Sequence, residues 1–459
     1  MKRVPALSVG LSLATVASLA LACTSAGGTT AQPGVHGPVG PVPAGLGQFY
    51  GQALSWGGCS SFAKTPSDQK AYADPDLQCA YLTVPLDYAN PNGRTIKVGL
   101  LRHPASDPAQ RIGSLVINPG GPGGSGMSTA ASLADTIMSN DVGRRFDLVG
   151  FDPRGVGASE PQIVCRNATE RDRERLMNLN VDTSPDGVAK TESQEKADDE
   201  GCVKGTGKDV LANIGTREVV RDMDVMRSAL GDEKLTYLGY SYGTRIGTSY
   251  AEAFPKNVRA MILDGAVDEA QDPAVQLVDQ GRGFQKAFDA FAAWCAVRAD
   301  CALGPDKSQA VSKFQALVRP LINQPVGVSD GRKLSYTDAT IGTVQALYLS
   351  DLWPILNRGL GNSSRVTETL LCALPITTMD DPKMVPTPPR WMSSRPSFVS
   401  TTRPSKIVMW PAISTLNTGK SPHSSTQDSR PHLPLITAPS GPYHPPADLT
   451  TPRPLDCRQ

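Results

Sequence analysis

The chain of 459 residues carries 45 Lys and Arg against 44 Asp and Glu, a formal net charge of +1, with 39% hydrophobic and 19% charged residues. That length and composition allow two or three globular domains with a sizeable core. The balance of charge, with no basic cluster along the chain, excludes a dedicated nucleic-acid or anionic-membrane surface, since both need a visible excess of Lys and Arg.

Lys2 and Arg3 precede an apolar run over about 9–22, too short to span a bilayer and laid out like a secretory signal. Residues 1–22 are therefore expected to be a signal peptide, with the mature protein exported. The run ends in Ala20-Leu21-Ala22-Cys23. Two processing routes fit. In one, Cys23 is lipid-modified and the low-complexity stretch 23–47 tethers a surface-anchored domain; in the other, ordinary cleavage leaves Cys23 unmodified. Nine cysteines suit an oxidising compartment. With Cys23 set aside, sequence neighbours suggest Cys59 with Cys79, Cys165 with Cys202, and Cys295 with Cys301, although spacing does not determine connectivity. No Cys-x-x-Cys or Cys/His cluster is present, so no metal is expected.

Residues 80–86 (AYLTVPL) and 96–102 (IKVGLLR) read as two antiparallel strands joined by a turn at Asn90-Pro91-Asn92-Gly93. A continuous apolar run, 114–118 (SLVIN), reads as a strand buried on both faces and empties into PGGPGGSG at 119–126. That loop has almost no side chains, so its backbone N–H groups can approach a ligand closely. It lacks the Lys-Ser/Thr ending and the G-x-G-x-x-G spacing of a phosphate-cradling loop. The next buried strand, 146–151 (FDLVGF), ends in DPRGVG at 152–157. From 161 to about 215 the chain is polar and charge-rich, which suits an insertion over the surface. Thr216 can then cap a helix whose Val219, Met223, Met226 and Leu230 form one apolar stripe, with Gly231 ending it.

The stretch 234–251, KLTYLGYSYGTRIGTSYA, breaks a strand-patterned run on Gly239, presents Ser241, and continues as a helix. It is G-x-S-x-G between a strand and a helix, where Gly239 and Gly243 flank a turn too tight for Cβ atoms and the serine oxygen is lifted clear of the sheet. Another apolar run, 258–263 (VRAMIL), leads to Asp264. Strands and helices alternating at this spacing predict a parallel sheet with right-handed crossovers. Residues 275–361 differ in texture: Phe284, Phe288, Phe291 and Trp294, then Phe314, Leu317 and Leu321, then Ile341, Val344 and Leu347, recur at helical spacing. This helical insertion would cover the mouth of the site as a lid; a separate bundle packed elsewhere is the alternative.

NPGGPGGSG at 118–126, FDPRGVGASEP at 151–161, LGYSYGTRIGTSYAEAFP at 238–255 and MILDGAVD at 261–268 together resemble the secreted actinobacterial tripeptidyl-aminopeptidase branch of the α/β-hydrolases, near the proline iminopeptidases. The resemblance covers about 55–361 and implies an α/β-hydrolase fold, with 48–274 as core and 275–361 as lid. It implies an exported serine exopeptidase that releases short peptides from free N-termini without a cofactor. Ser241 would be the nucleophile, and the N–H groups of Gly121 and Tyr242 would hold the oxyanion. A peptide with a free N-terminus would then be the partner, nucleic acid would not, and a membrane would be touched only through a lipid on Cys23.

Two later family elements, a strand ending in the catalytic aspartate and a Gly-His-type loop, do not match in 362–459. That segment holds 17 of the 39 prolines amid Ser, Thr and Arg. We read it as translated out of frame from about Asn362, which would produce this mix from a GC-rich gene; a natural disordered tail is the alternative. The five histidines are His36, His103, His423, His432 and His444, and none has a sequence setting that places it against Ser241. Asp264, at a strand end near the elbow, could orient a histidine or be a structural turn residue. A serine without its base retains roughly 10³ to 10⁴ over the water rate, far below a complete triad. Three readings follow: a peptidase whose catalytic acid and base are unknown, an inactive hydrolase-like lipoprotein, and an esterase on small acyl esters. If the frame is shifted, one of the two other frames beyond about residue 362 encodes an Asp-turn strand and a Gly-His loop. Translating all three frames of the gene checks this, and finding neither element refutes it.

Overall fold

The computed structural model describes residues 38–179, 181–328 and 332–361. The expected signal peptide, Cys23, His36 and the whole of 362–459, with His423, His432 and His444, lie outside the described residues. One sheet contains β1 (Gln78–Pro85), β2 (Thr95–His103), β3 (Gly113–Asn118), β4 (Phe146–Phe151), β5 (Leu235–Tyr240) and β6 (Val258–Asp264) in the order β1-β2-β4-β3-β5-β6. The β1–β2 hairpin is antiparallel and joins β4 antiparallel, whereas β4, β3, β5 and β6 are mutually parallel.

β3 explains why the sheet is covered on both sides. All of its residues are buried, and alternate side chains enter different cores, as the two-residue period of a strand requires. Leu115 and Ile117 pack with Met127, Ala130 and Ala134 of the helix Gly126–Met138. Val116 faces the opposite layer, where Val219, Met223 and Met226 of the helix Thr216–Ala229 meet Ile246 and Tyr250 of the helix Tyr242–Ala253. The stripe residues Val219, Met223 and Met226 are buried as the sequence predicts, but burial extends beyond the stripe to Asp222, Asp224, Val225, Arg227 and Ser228, and Leu230, at the end of the helix, is partly buried. The cap differs: Gly215 occupies that position, Thr216 is the first helical residue, and its hydroxyl is hydrogen-bonded to the Tyr242 hydroxyl instead.

Two buried charge networks tie the helix Thr216–Ala229 to its surroundings. Arg154 reaches Asp222 through Nε and Nη2 at 2.7 and 2.6 Å, and donates to the carbonyls of Leu86 and Asn213 at 2.9 and 2.6 Å. It thereby ties the loop after β4 to the helix Thr216–Ala229 and to the end of the β1–β2 hairpin. On the same helix, Asp224 accepts from Tyr50, Tyr250 and Asn257 at 2.7, 2.8 and 2.8 Å and from Arg227 Nε at 2.8 Å. Burial pushes the Asp224 carboxyl up, but the Arg227 hydrogen bond and charge, with the Tyr50 and Asn257 hydrogen bonds, outweigh it and hold the group below its ordinary range.

The polar stretch after β4 is more regular than its composition predicts. It forms the helices Ala168–Arg175, Pro185–Thr206 and Lys208–Leu211, with Cys165 disulfide-bonded to Cys202. The long helix buries only Gly187 and Asp198, as a surface element does, but Val210 returns to the sheet core. Residues after β6 form the helices Pro273–Ala296, Ala310–Val318, Tyr336–Leu347 and Trp353–Gly361 around a core of their own that includes Phe291, Leu321, Ala346 and Leu356, with Cys295 bonded to Cys301. Arg175 and Asn178 join the two insertions. Arg175 pairs with buried Asp338, while Asn178 accepts from the Thr337 amide at 3.1 Å and donates to the Ile322 carbonyl at 3.2 Å.

β6 is the last strand of the order, and no described strand pairs with its outer edge. Substituting Asp222→Ala leaves the Arg154 guanidinium buried without its carboxylate, so a loss of about 3–5 kcal/mol is expected. Urea denaturation of the variant beside the parent measures it.

Candidate active site

The turn between β5 and the helix Tyr242–Ala253 places Ser241 at φ 51° and ψ −123°, a backbone conformation that L side chains rarely adopt, and leaves it exposed. The neighbouring glycines explain how the chain turns this sharply. A Cβ on Gly239 would lie 2.5 Å from the Gly243 carbonyl oxygen, and one on Gly243 would lie 2.6 Å from the Asn118 carbonyl oxygen. Hydrogen bonds then fasten the turn. Ser241 N donates to Asp264 O at 2.9 Å, Thr244 N and Oγ1 donate to Ser241 O at 2.8 and 2.6 Å, and Tyr237 OH donates to Gly243 O at 2.8 Å. Backbone strain of this kind is maintained only where the surroundings over-determine it.

The glycine loop at the end of β3 packs directly on this turn. Gly120, at φ +86°, has its Cβ position 2.4 Å from Tyr240 O and 2.7 Å from Tyr242 N, so only glycine fits there. Two loop amides have partners: Gly120 N donates to Asn118 Oδ1 at 2.8 Å and Gly124 N to Gly120 O at 3.0 Å. The Gly121 N–H has no hydrogen-bond acceptor among the described residues. Tyr242, as the first residue of its helix, has an N–H with no intrahelical acceptor. The two amides that the resemblance singles out therefore belong to neighbouring segments beside Ser241.

Asp264 sits opposite Tyr240 in the parallel register of β5 and β6, and its carbonyl holds the elbow. Burial, and then the Asp264 carboxylate, push the Tyr240 phenol up. His103 is elsewhere. β2 runs against β4 with Leu100 beside Phe151 and His103 beside Leu148. His103 therefore lies toward the N-terminal end of β4, whereas Ser241 follows the C-terminal end of β5, which runs the same way as β4. Among the described residues no histidine is placed to accept the Ser241 proton. No cluster of three or more His, Cys, Asp or Glu among them could hold a metal ion.

The remaining candidate residues occupy the scaffold. Cys59 and Cys79 are disulfide-bonded, in addition to the two pairs described above. Two residues escaped the sequence reading. Asn118 orders the start of the glycine loop through Gly120, and buried Asp152 accepts from Ser125 at its end. Both stand in the quoted motifs NPGGPGGSG and FDPRGVGASEP, which gave neither residue a role of its own.

Sheet order, elbow and glycine loop are those of the alpha/beta hydrolase fold, and a family model for that fold matches residues 113–422. The chain belongs to that family. It is 47% identical to serine protease Hip1 of Mycobacterium tuberculosis over 317 residues, which is 68% of this chain and 59% of the relative. Carboxylesterase B of the same species is 44% identical over 355 residues, covering 77% of this chain and 65% of that protein. Tripeptidyl aminopeptidase of Streptomyces lividans is 35% identical over 260 residues, 55% of this chain and 47% of that one. The chain thus spans less than two thirds of the length of these relatives.

Gly120→Ala would drive a methyl group into the backbone of Tyr240 and Tyr242. The variant is expected to lose about 1–3 kcal/mol of stability, on the scale of a forced backbone conformation. Thermal unfolding of parent and variant is the check.

Proposed function

We propose that the chain is a serine hydrolase that forms an acyl-enzyme at Ser241, and that its substrate is a peptide with a free N-terminus from which a short peptide, a tripeptide in the first instance, is released. The observation that carries this reading is the exposed serine at φ 51°, followed directly by Tyr242 and with the glycine loop packed on its turn at Gly120. A hydroxyl in that position can attack a carbonyl while two N–H groups receive the charge that develops on the oxygen. The likeness to a serine protease and to a tripeptidyl aminopeptidase supports peptide over other acyl substrates. Likeness to a carboxylesterase favours the second reading, hydrolysis of small acyl esters, because the same elbow serves both reactions and the surrounding helices select between them.

Export fits the three disulfides, which persist in oxidising compartments, and a lipid on Cys23 would hold the protein at a membrane surface. No described helix is long and apolar enough to cross a membrane. The general base that Ser241 requires must come from outside the described residues, since His103 lies at the other end of the sheet.

A fluorophosphonate probe tests the nucleophile. Labelling of the parent protein and none of Ser241→Ala is expected. Folded parent protein that resists the probe would instead identify a hydrolase scaffold without activity. Turnover of a tripeptide nitroanilide exceeding that of a nitrophenyl ester is expected for the peptidase, and the reverse order selects the esterase.

A further inference from the structure

The glycine loop is held at both ends, and the two ends are held differently. At its start Asn118 Oδ1 accepts from Gly120 N, within the same loop. At its finish the partner comes from another segment. Asp152, 1% exposed, directs Oδ1 to Ser125 Oγ at 2.6 Å and to Met127 N at 3.2 Å, and Oδ2 to Ala158 N at 2.8 Å. Its carbonyl accepts from Ser159 Oγ at 2.6 Å. Ser125 in turn caps the helix Gly126–Met138 by accepting from Ser128 N at 3.0 Å. One carboxylate therefore joins the end of the glycine loop to the loop after β4.

We infer that Asp152 is a positioning residue for the reaction at Ser241, fixing the glycine loop so that the Gly121 amide stays beside Tyr242. This rests on the serine-hydrolase reading given above.

The chemistry of the contacts explains why a carboxylate is required. Backbone N–H groups reach it from two sides, Met127 on one oxygen and Ala158 on the other. An amide side chain offers a single acceptor oxygen and could satisfy only one of them. The closest packing points the same way: a Cβ on Gly157, at φ +53°, would lie 2.1 Å from Asp152 Oδ2, so the second loop is bare where the carboxylate enters. Among the described residues no cation pairs with it. Arg154, two residues on, is taken by Asp222, and the nearby ionisable groups Asp68, Tyr72 and Tyr81 bring no positive charge. Burial pushes the Asp152 carboxyl up to about 6, with the Ser125, Ala158 and Met127 hydrogen bonds opposing it. The sign follows: a carboxyl raised above its unfolded value contributes less stability as pH rises through that interval. At neutral pH the fold thus carries a charge that costs stability, at a position where it orders the loop bearing Gly121.

The test uses the full chain, with Asp152→Asn and Ser125→Ala. Deuterium exchange over 119–127 is expected to quicken in Asp152→Asn and, to a smaller degree, in Ser125→Ala. The maximal rate of fluorophosphonate labelling should fall about tenfold or more while the half-saturating probe concentration stays unchanged, as for loss of a donor that acts in the transition state. A folded Asp152→Asn protein with parental exchange over 119–127 overturns the inference. If Asp152→Asn does not fold, Ser125→Ala decides, and unchanged exchange in that variant also overturns it. Failure of the parent to label, with exchange still responding to the substitutions, removes the nucleophile reading and leaves the ordering role of Asp152 in place. Unchanged labelling kinetics with altered exchange separates the loop from the chemistry and overturns the catalytic role.

Discussion

Backbone pressed against backbone, with no room for a Cβ, is the constraint from which the rest of this structure follows. Gly239, Gly243 and Gly120 each lie where a single added carbon would come within about 2.6 Å of a neighbouring main-chain atom. Because of that contact, the end of β3, the end of β5 and the start of the following helix converge on one point, and the serine between them takes a conformation it would otherwise avoid. Such strain typically costs 1–3 kcal/mol. It is held by the Asp264 carbonyl, the Thr244 amide and hydroxyl, and the Tyr237 hydroxyl, groups that come from the adjacent strand, the new helix and the same strand. The elbow is consequently a property of the assembled sheet. A short segment in isolation would not keep it.

Buried charge is divided between the two sides of the molecule in a way that matches their tasks. Asp222 and Asp224 each have an arginine within hydrogen-bond distance, Arg154 and Arg227 respectively; the first pair ties the helix to the loop after β4, and Asp224 ties it to neighbouring helices through Tyr50 and Tyr250. Removing one member of such a pair is far more damaging than replacing both with apolar groups. Asp152 has no such cation among the described residues and satisfies its oxygens with backbone and hydroxyl donors around the glycine loop. The Arg154 and Arg227 partners secure a helix, whereas Asp152 joins the end of the glycine loop to the loop after β4.

The parts of this fold that can be read from the chain are those governed by local rules. The apolar run 114–118 reads as a central strand, the stripe Val219, Met223 and Met226 as a helix packed on a sheet, and G-x-S-x-G between strand and helix as the turn at Ser241. Long-range polar choices were not legible. Thr216 has the chemistry of a cap, yet its hydroxyl is engaged by Tyr242 from a different helix, and nothing in the local sequence announces that contact. The same holds for Asp152: DPRG marks a turn, but only the three-dimensional approach of Ser125 and Ala158 reveals what the carboxylate does. The polar, charge-rich stretch 161–215 likewise conceals three helices, because helices that bury few side chains need no apolar stripe.

The junction at Arg175 and Asn178 changes how the outer part of the molecule must behave. The insertions it connects leave the sheet after β4 and after β6, parallel strands whose C-terminal ends share the rim that carries Ser241. Arg175 meets buried Asp338, and Asn178, at φ 48°, holds the Thr337 amide and the Ile322 carbonyl. Two excursions far apart in sequence are thereby riveted to each other. Neither insertion can shift without straining the bonds that hold it to the other, so displacement of one is transmitted to a segment with which it shares no stretch of chain.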